Sequence, residues 1–581
     1  MPALRLAQFS GEIPRLLPRL LPDTGAQLAE NVRLDDGGLT PVRKMRSEHI
    51  FTGISDIKTI YKFGTQWLAW DKVVNAVPGP VAEDRLYYTG DGKPKMRIGT
   101  TVYDLAVPAP TAALTVTLSG TATAGAPVIT RVYAYTFVTD FGEESEPCPI
   151  SAEVNWQDGK TVTLTGFQSP PAGRGFSKQR IYRSQSSNQS GTDLFFIAER
   201  AASTSSFTDT FGIDQFGEVL PSRDWNPPPD DLQGLIALPN GMMVGFTGKE
   251  LCFCEPYRPH AWPEKYRLTA SHEIVGLGAY GTTVVAGTAG YPFVASGNAP
   301  ESMIEQKIEV NLPCVNPRGV VDLGYAVAYP SNDGLVVVSN GGATVVTDTI
   351  FTRPGWQKLS PATLVAGQFA GRYFASYEYA DLDGTIFSGT IILDLTGQTP
   401  FVLRGATKAD AYHYDLQTGA LYILSGSNVY EWDALGQVNE IMTWRSKRIV
   451  LPQPVSFGAI LVEGGGNMTP DEIKAREELV ASIKAYNAAQ IALPSMGSEI
   501  NGSAINSFAI NGDRLKQIPL DKFVSVSVYA DGELVRVVTE LNKVKRINGN
   551  RRAKTWEIQV SGTAEVEQIT IATTVRDLNE V

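Results

Sequence analysis

Residues 242–253, MMVGFTGKELCF, show the unit that decides the fold of this chain: an apolar strand, a turn with glycine, and a second apolar strand. Comparable units recur along residues 233–434 at intervals of about 40–47 residues, which is the usual spacing of β-propeller blades. The further copies pair segments 283–286 with 292–294, 325–329 with 335–338, 373–377 with 390–393, and 420–424 with 429–432. This repeat predicts about five blades.

A sixth unit is predicted earlier in the chain, where four segments repeat the same pattern of apolar strands and turns, at 57–63, 67–70, 85–88 and 101–105. A propeller closes best when strands from both ends of the array meet, so a first blade separated from the others by an insertion is geometrically sensible. We therefore predict a mainly β chain with a β-propeller of about six blades. Residues 51–106 would form the first blade or blades, and residues 229–438 the remaining ones.

Residues 107–228 are predicted to be an inserted β-sandwich between proline-rich borders, VPAP at 107–110 and WNPPP at 225–229. Turn residues separate short alternating strands about every 8–12 positions, which is typical of a small sandwich. The segments YAYTFVTDFGEESEP (133–147), RIYRS (180–184) and SFTDT (206–210) resemble a fibronectin type III-like module. That resemblance implies core strands without chemistry of their own.

Residues 439–581 are predicted to be a C-terminal mixed β domain that carries one long helix at about 470–490. Thr469-Pro470-Asp471-Glu472 is a capping-box sequence with proline at the first helical position. Segment 499–512, EINGSAINSFAING, has low charge and suits a long loop or a segment ordered on assembly. Strands are predicted around the helix at 457–462, 523–529, 533–538, 555–560 and 567–573.

Residues 1–50 are predicted to be an extended N-terminal arm followed by a β-turn at 35–38, DDGG. Prolines cannot sit inside a helix and push the preceding residue toward extended geometry. Prolines 14, 18 and 22 would therefore hold two apolar pairs on a stiff segment that has no core of its own. We predict that this segment docks on a neighbouring subunit through Leu16, Leu17, Leu20 and Leu21.

Both ends of the chain resemble the tail nozzle, or tail tubular protein B-like, structural proteins of short-tailed bacteriophages. The residues that carry the resemblance are AENVRL (29–34), LTPVR (39–43), TWRSK (443–447) and TWEIQVSG (555–562). It implies a homo-oligomeric, six-fold ring in the phage tail, assembled in the host bacterial cytoplasm. Such a ring joins portal and adaptor proteins, anchors tail fibres or spikes, and conducts viral DNA during ejection without sequence-specific binding.

Composition agrees with a large β protein and argues against nucleic-acid-wrapping, membrane-spanning, secreted and disulfide-rich proteins. The 581 residues include 55 glycines and 36 prolines, which favours short strands joined by tight turns. The formal net charge of −11 argues against a protein that wraps nucleic acid, since such proteins are normally basic. No apolar run is long enough to span a membrane, the first twenty residues lack a signal-like apolar stretch, and four cysteines do not make a disulfide framework.

One basic cluster surrounds the predicted turn at 548–550. Solvated hairpin charge is its plain interpretation, and contact with DNA or with an acidic partner is the alternative. The cluster comprises Lys543, Lys545, Arg546, Arg551, Arg552 and Lys554.

Several local patterns suggest chemistry, but each has a simpler structural explanation. GLGAYG at 276–281 matches a dinucleotide-binding pattern, yet the β-branched TTVV follows it instead of a helix, which favours a hairpin. A zinc site could be formed by Cys252 and Cys254 with His260 and His272, but buried strand cysteines explain the pattern more simply. Two carboxylate pairs could serve glycoside cleavage, Asp381 with Asp383 and Glu143 with Glu144. The first pair is explained by a hairpin turn and the second by loop charge in the sandwich.

The sequence therefore predicts no enzyme, no metal and no cofactor, and the nozzle role is mechanical. Two other functions remain open. One is a β-propeller that binds or cleaves polysaccharide, for which a carboxylate pair assembled across blades would be needed. The other is a tail fibre or adhesin subunit.

Overall fold

The structure is a computed structural model that describes residues 3–186, 192–381, 383–395, 400–465, 470–492, 515–516, 518, 522–547 and 551–579. It divides into two compact units, which we call the terminal unit (1–62, 330–337 and 344–581) and the middle unit (63–329 and 338–343). Both consist mainly of small β-sheets, so the predicted mainly β class is confirmed. Two α-helices are described, α1 at Arg353–Lys358 and α2 at Pro470–Ala492.

The middle unit contains three four-stranded antiparallel sheets, each built as a meander of consecutive strands. Apolar residues fill the strands and glycine turns separate them, for example Gly281 at φ +56° between two strands of the third meander. The strands are Asn75–Pro78, Arg85–Thr89, Lys95–Ile98 and Thr101–Asp104; Gln233–Ala237, Met243–Thr247, Glu250–Phe253 and Leu268–Thr269; and Ile274–Tyr280, Thr283–Thr288, Phe293–Ser296 and Ile304–Lys307.

Successive meanders in this unit approach each other closely. A Cβ atom added to Gly278 would lie 2.6 Å from a methyl carbon of Val327, so only glycine fits at this contact. Val327 belongs to a further four-stranded meander, whose residues are divided between the two units. Its strands are Val321–Asp322, Val327–Pro330, Leu335–Ser339 and Gly342–Val345.

The inserted segment folds as two three-stranded sheets that share one hydrophobic core, with a two-stranded sheet beside them. Tyr133 and Ile181 from one sheet and Val162 and Leu164 from the other are fully buried in that core. This agrees with the predicted sandwich. The sheets are Thr115–Gly120, Lys160–Thr165 and Phe207–Asp209; Tyr133–Thr139, Phe176–Ser186 and Thr192–Ala201; and Ile129–Arg131 with Val154–Trp156.

The terminal unit is held together by strands from both ends of the chain. Arg46–Ile50 is the outer strand of a four-stranded sheet whose other strands are Ala411–Asp415, Ala420–Ser425 and Asn428–Glu431. Ala3–Leu6 likewise pairs with Val566–Ala572. In the same sheet, Val566–Ala572 pairs with Ala459–Gly464, which pairs with Lys545–Arg546. The C-terminal region is therefore not a separate domain, because its sheets incorporate N-terminal strands.

A ten-stranded sheet forms the largest layer of the terminal unit. It begins as another four-stranded meander, and the last strand of this meander, Phe401–Gly405, pairs with the N-terminal strand Ala26–Glu30. The other strands are Val365–Phe369, Arg372–Ala380, Ile386–Asp394, Met442–Ser446, Ala553–Gly562, Val524–Ala530 and Glu533–Val538, with Ile449–Val455 paired to Ala553–Gly562.

The predicted first blade needs correction. The predicted strands near 57–63 and 67–70 pair with each other as Thr59–Phe63 and Gln66–Trp70 and are not part of the first meander. That meander instead contains two strands that the alternation of apolar and polar residues did not predict, Asn75–Pro78 and Lys95–Ile98. Short strands bounded by Asp, Gly and Pro carry too little periodicity to be recognised.

Helix α2 agrees with the helix predicted at about 470–490. Of its apolar residues, Ile483 is buried, whereas Tyr486 is more than one-third exposed. Thr469 of the capping box and the segment 499–512 lie outside the described residues. Within the described ranges, neither helix has the length and hydropathy needed to cross a membrane.

Candidate functional site

Residues 13–22, which we call the leucine turn, are two consecutive proline turns and not the extended segment that the sequence predicts. The Leu16 amide donates to the Ile13 carbonyl over 2.9 Å, and the Leu20 amide donates to the Leu17 carbonyl over 2.8 Å. In both turns proline occupies the second position, where its fixed φ favours a β-turn. The expectation of a strand-like arm is therefore wrong, because Pro14 and Pro18 each lie within a β-turn.

The leucine turn is anchored to the terminal unit through its backbone. Glu12 and Val402 exchange amide hydrogen bonds of 2.8 and 3.0 Å. The Arg15 amide donates to the Ile350 carbonyl over 2.7 Å, and the Arg448 amide donates to the Pro18 carbonyl over 3.0 Å. The segment therefore has a fixed position on the unit and is not a free arm.

A buried ion pair strengthens this anchor. The Glu12 carboxylate is only 4% exposed and accepts from Arg404 Nε at 2.8 Å and from the Ala29 amide at 3.0 Å. Burial raises the pKa of Glu12, while the Arg404 charge and these hydrogen bonds oppose the rise. Removal of the carboxylate would leave Arg404 and the Ala29 amide without this acceptor.

The four predicted docking leucines separate into two groups. Leu17 and Leu20 are 58% and 59% exposed, and Leu16 is 36% exposed. Leu21 is 4% exposed and belongs to the core of the chain itself. Leu16, Leu17 and Leu20 thus form an exposed apolar group on a rigid turn, and Leu21 must be removed from the predicted docking set.

The basic cluster is partly neutralised by two glutamates. Glu540 accepts from Lys543 at 2.9 Å and Lys545 at 2.5 Å, and these lysines lower the pKa of Glu540 to about 2. Arg551 pairs with Glu533 at 2.5 Å. The exposed cations Arg546, Arg552 and Lys554 complete the cluster, while the turn at 548–550 lies outside the described residues. Contact with DNA or an acidic partner stays a prediction.

An aromatic stack on the hairpin of Arg372–Ala380 and Ile386–Asp394 was not predicted. The rings of Tyr377 and Tyr379 are 6.0 Å apart, and those of Tyr379 and Phe387 are 5.3 Å apart, with planes tilted by 20° and 19°. Lys358 Nζ lies 4.9 Å from the centre of the Tyr379 ring. The alternation of Tyr377 and Tyr379 was the available signal, because alternate residues of a strand share one face.

The carboxylate pairs that suggested glycoside cleavage have structural partners. Asp381 pairs with Lys358 at 3.2 Å, and Asp383 accepts the Thr385 amide at 2.9 Å in the hairpin turn. The buried Glu143 pairs with Arg174 at 2.7 Å. The partners of the buried Glu144 are Arg180 at 2.9 Å, Tyr182 at 2.6 Å and Thr136 at 2.7 Å.

The cysteines and histidines do not form a metal centre. The described part of the chain contains no group of three potential ligands at metal-binding distance. All four cysteines are buried free thiols, and burial raises the pKa of Cys252, Cys254 and Cys314 to about 12. The GLGAYG segment lies in the strand Ile274–Tyr280 and the following hairpin turn, as the hairpin interpretation predicts.

No family model and no curated protein matches this chain. Among solved structures, Kluyvelomyces marxianus Hsv2 is 9% identical with a TM-score of 0.21, covering 49% of this chain and 71% of its own. The AfRom2 CNH domain is 8% identical with a TM-score of 0.23, covering 57% and 95%. The exo-beta-1,3-galactanase of Phanerochaete chrysosporium is 10% identical with a TM-score of 0.15, covering 79% and 100%. Likenesses this weak indicate neither a blade number nor a function.

Proposed function

We propose that this chain is a structural subunit of a short-tailed phage tail and forms an oligomeric nozzle that conducts DNA. The observation that carries the proposal is the leucine turn. Leu16, Leu17 and Leu20 are exposed on a turn that the backbone bonds of Glu12, Arg15 and Pro18 hold in place. A fixed apolar group is a preformed contact for another subunit, because little conformational freedom is lost when it is buried.

The sequence resemblance gives the class of assembly. Two of its segments, 443–447 and 29–34, overlap strands that pair directly, since Met442–Ser446 is antiparallel to Ala26–Glu30. The third, 555–562, lies in Ala553–Gly562, which pairs with Met442–Ser446. Three of the four segments therefore contribute residues to one sheet of the terminal unit, although more than five hundred positions separate the first from the last. The fourth segment, 39–43, contains Thr40–Pro41, which pairs with Val32–Arg33 in a separate two-stranded sheet.

The described residues contain six four-stranded meanders, a number that supports the proposal of about six propeller blades. The last meander is completed by Arg46–Ile50, which precedes all the others in sequence. In a closed propeller, a strand from the start of the chain commonly completes the last blade. We include closure and blade number in the proposal.

In this function the chain acts mechanically. Its ring would join portal and adaptor proteins on one side and fibres or spikes on the other. A formal net charge of −11 suits a conduit, because weak repulsion of phosphate lets DNA slide. The basic cluster would then contact an acidic neighbour or DNA at one place only, with no sequence-specific readout.

Mass photometry of the purified protein, alone and with the adaptor ring of a short-tailed phage, tests the proposal. We expect ring-sized species whose mass is a fixed multiple of the 62.8 kDa subunit. A reducing-sugar assay on bacterial polysaccharides runs in parallel. A persistent monomer that joins no ring and releases sugar would replace the nozzle with the polysaccharide-cleaving alternative, and a stable trimer that binds host cells would favour a fibre subunit.

A further inference from the structure

Two outer strands of the chain carry opposite charges that find no partner within the described residues. One is Ile304–Lys307, the last strand of the third meander of the middle unit. The other is Glu533–Val538, the last strand of the ten-stranded sheet of the terminal unit. In the described part of the chain no further strand pairs with the outer edge of either one. An exposed sheet edge presents backbone groups and side chains to which another chain can bind.

Residues 301–310, which we call the acidic edge, contain the first of these strands. Three glutamates of the acidic edge are exposed and make no ion pair with any described residue. They are Glu301, Glu305 and Glu309. The only cation of the segment is Lys307, whose Nζ lies 4.4 Å from the centre of the Tyr291 ring. Ile304, at the start of the strand, is 73% exposed, so the acidic edge combines unmatched negative charge with an aliphatic side chain.

The strand Glu533–Val538 and the basic cluster together form a second surface, which we call the basic edge. Residues 533–554 contain seven cations and two glutamates, in a chain whose formal net charge is −11. The two glutamates pair with Lys543, Lys545 and Arg551. The other four cations are exposed and make no ion pair with any described residue. They are Arg536, Arg546, Arg552 and Lys554.

The aliphatic residues of the basic edge favour a protein over DNA as its partner. Leu534 and Val537 are 53% and 41% exposed on the same strand as Arg536. A phosphate backbone neutralises cations but does not cover aliphatic side chains. The acidic edge of another copy presents carboxylates for the cations and Ile304 for the aliphatic residues. Complementary charge of this kind determines which surfaces of two proteins meet.

We infer that the basic edge of one subunit binds the acidic edge of a second copy of this chain. The inference rests on the proposed function in one respect, which is that the chain forms an oligomer. Because the two edges are different surfaces, each subunit binds one neighbour through its basic edge and another through its acidic edge. A contact of this head-to-tail type propagates from subunit to subunit and gives a ring where it closes or a filament where it does not.

Charge reversal tests the contact from both sides. The acid-reversed variant carries Glu305→Lys and Glu309→Lys, and the base-reversed variant carries Arg536→Glu and Arg552→Glu. In each variant the two edges carry charge of the same sign, so self-association in sedimentation velocity should be about tenfold weaker than in the parent protein at low salt. Added salt should weaken the parent contact as well, because it screens exposed charges.

Two further samples keep the test independent of any folding defect. An equimolar mixture of the two reversed variants restores opposite charges at every contact, and so does a single chain that carries all four substitutions. We expect both samples to associate like the parent protein. The matched control is Glu83→Lys with Asp84→Lys, because both acids are exposed in a turn of the middle unit outside the acidic edge. The control should also associate like the parent.

The outcomes separate this inference from its rivals. Self-association unchanged in either reversed variant, or not restored in the chain with all four substitutions, would overturn the inference and leave the nozzle proposal intact. If the parent binds a short DNA duplex in fluorescence anisotropy, and the base-reversed variant loses this binding but keeps its self-association, DNA replaces the second copy as the partner of the basic edge. Charge-dependent filaments that join no adaptor ring would contradict the nozzle proposal alone, and a parent protein that stays monomeric throughout the concentration series would contradict both.

Discussion

Replacement of the three exposed leucines tests whether the leucine turn is an assembly contact. The triple variant Leu16→Asn, Leu17→Asn and Leu20→Asn keeps every backbone amide, including those of Leu16 and Leu20 that close the two turns. Leu17 and Leu20 are more than half exposed and Leu16 is about one-third exposed, so the isolated subunit should keep its stability to within about 0.5 kcal/mol at Leu17 and Leu20 and lose somewhat more at Leu16. The variant therefore separates assembly from folding.

The expected effect on assembly follows from the exposed fractions. Full burial of a leucine side chain contributes about 1.5–3 kcal/mol. The three side chains are 36%, 58% and 59% exposed, so about one-third of that value remains available at Leu16 and somewhat more than half at each of the other two. Burial of all three against a neighbour would contribute about 2–4 kcal/mol, which corresponds to about a 30-fold to 1000-fold weaker subunit contact in the triple variant.

Sedimentation velocity over a concentration series measures this change, with urea unfolding as the check on folding. Leu416→Asn with Leu435→Asn is the matched control, because both leucines are more than 70% exposed elsewhere in the terminal unit. We expect the control to assemble like the parent protein. The same assembly curve for the triple variant and the parent would refute the assignment. Deletion of residues 1–22 is a poor test, because it also removes the buried Phe9, Ile13 and Leu21.

Three further predictions concern stability. Glu12→Ala should lower the free energy of unfolding in urea by about 1–3 kcal/mol, and Glu12→Gln should lower it less. The loss is smaller than for a fully buried ion pair because the Arg404 side chain is 31% exposed. Equal stability of Glu12→Ala and the parent protein would contradict the role of this ion pair as an anchor. Burial lowers the pKa of His260 from 6.5 to about 3, so the unfolded chain binds the proton first and stability should fall as pH drops from about 6.5 towards 3. Urea midpoints across this range should fall less in His260→Gln, and identical slopes would count against the assignment. Gly278→Ala should cost about 1–3 kcal/mol because its methyl group would overlap Val327, whereas Gly341→Ala, which meets no atom closer than 3.9 Å, should be neutral in thermal unfolding.

The strand content of this protein was readable from sequence because alternation and turn residues are local signals. The unit at 242–253 appears as the strands Met243–Thr247 and Glu250–Phe253, and helix α2 appears within two residues of its predicted bounds. The sandwich was also predictable, since its strands are bordered by proline and glycine. In each case neighbouring residues carry the pattern, so no knowledge of distant contacts is required.

The leucine turn shows where such reasoning fails. Prolines 14, 18 and 22 indicate only that no helix forms, and they are compatible with both an extended arm and consecutive turns. The choice depends on the backbone donors and acceptors that Val402, Ile350 and Arg448 bring from distant parts of the chain. Leu20 and Leu21 are adjacent and identical in type, yet one is exposed and the other is buried.

The sequence by itself determined most of the strands and the long helix, because those choices depend on the periodicity of neighbouring residues. Only the tertiary structure decided which strands meet, such as Ala3–Leu6 with Val566–Ala572 and Arg46–Ile50 with Asn428–Glu431. It also decided which charges are matched, such as buried Arg183 with Asp209. The physical reason is that strand pairing and charge matching depend on the packing of residues hundreds of positions apart, and local sequence carries no record of it.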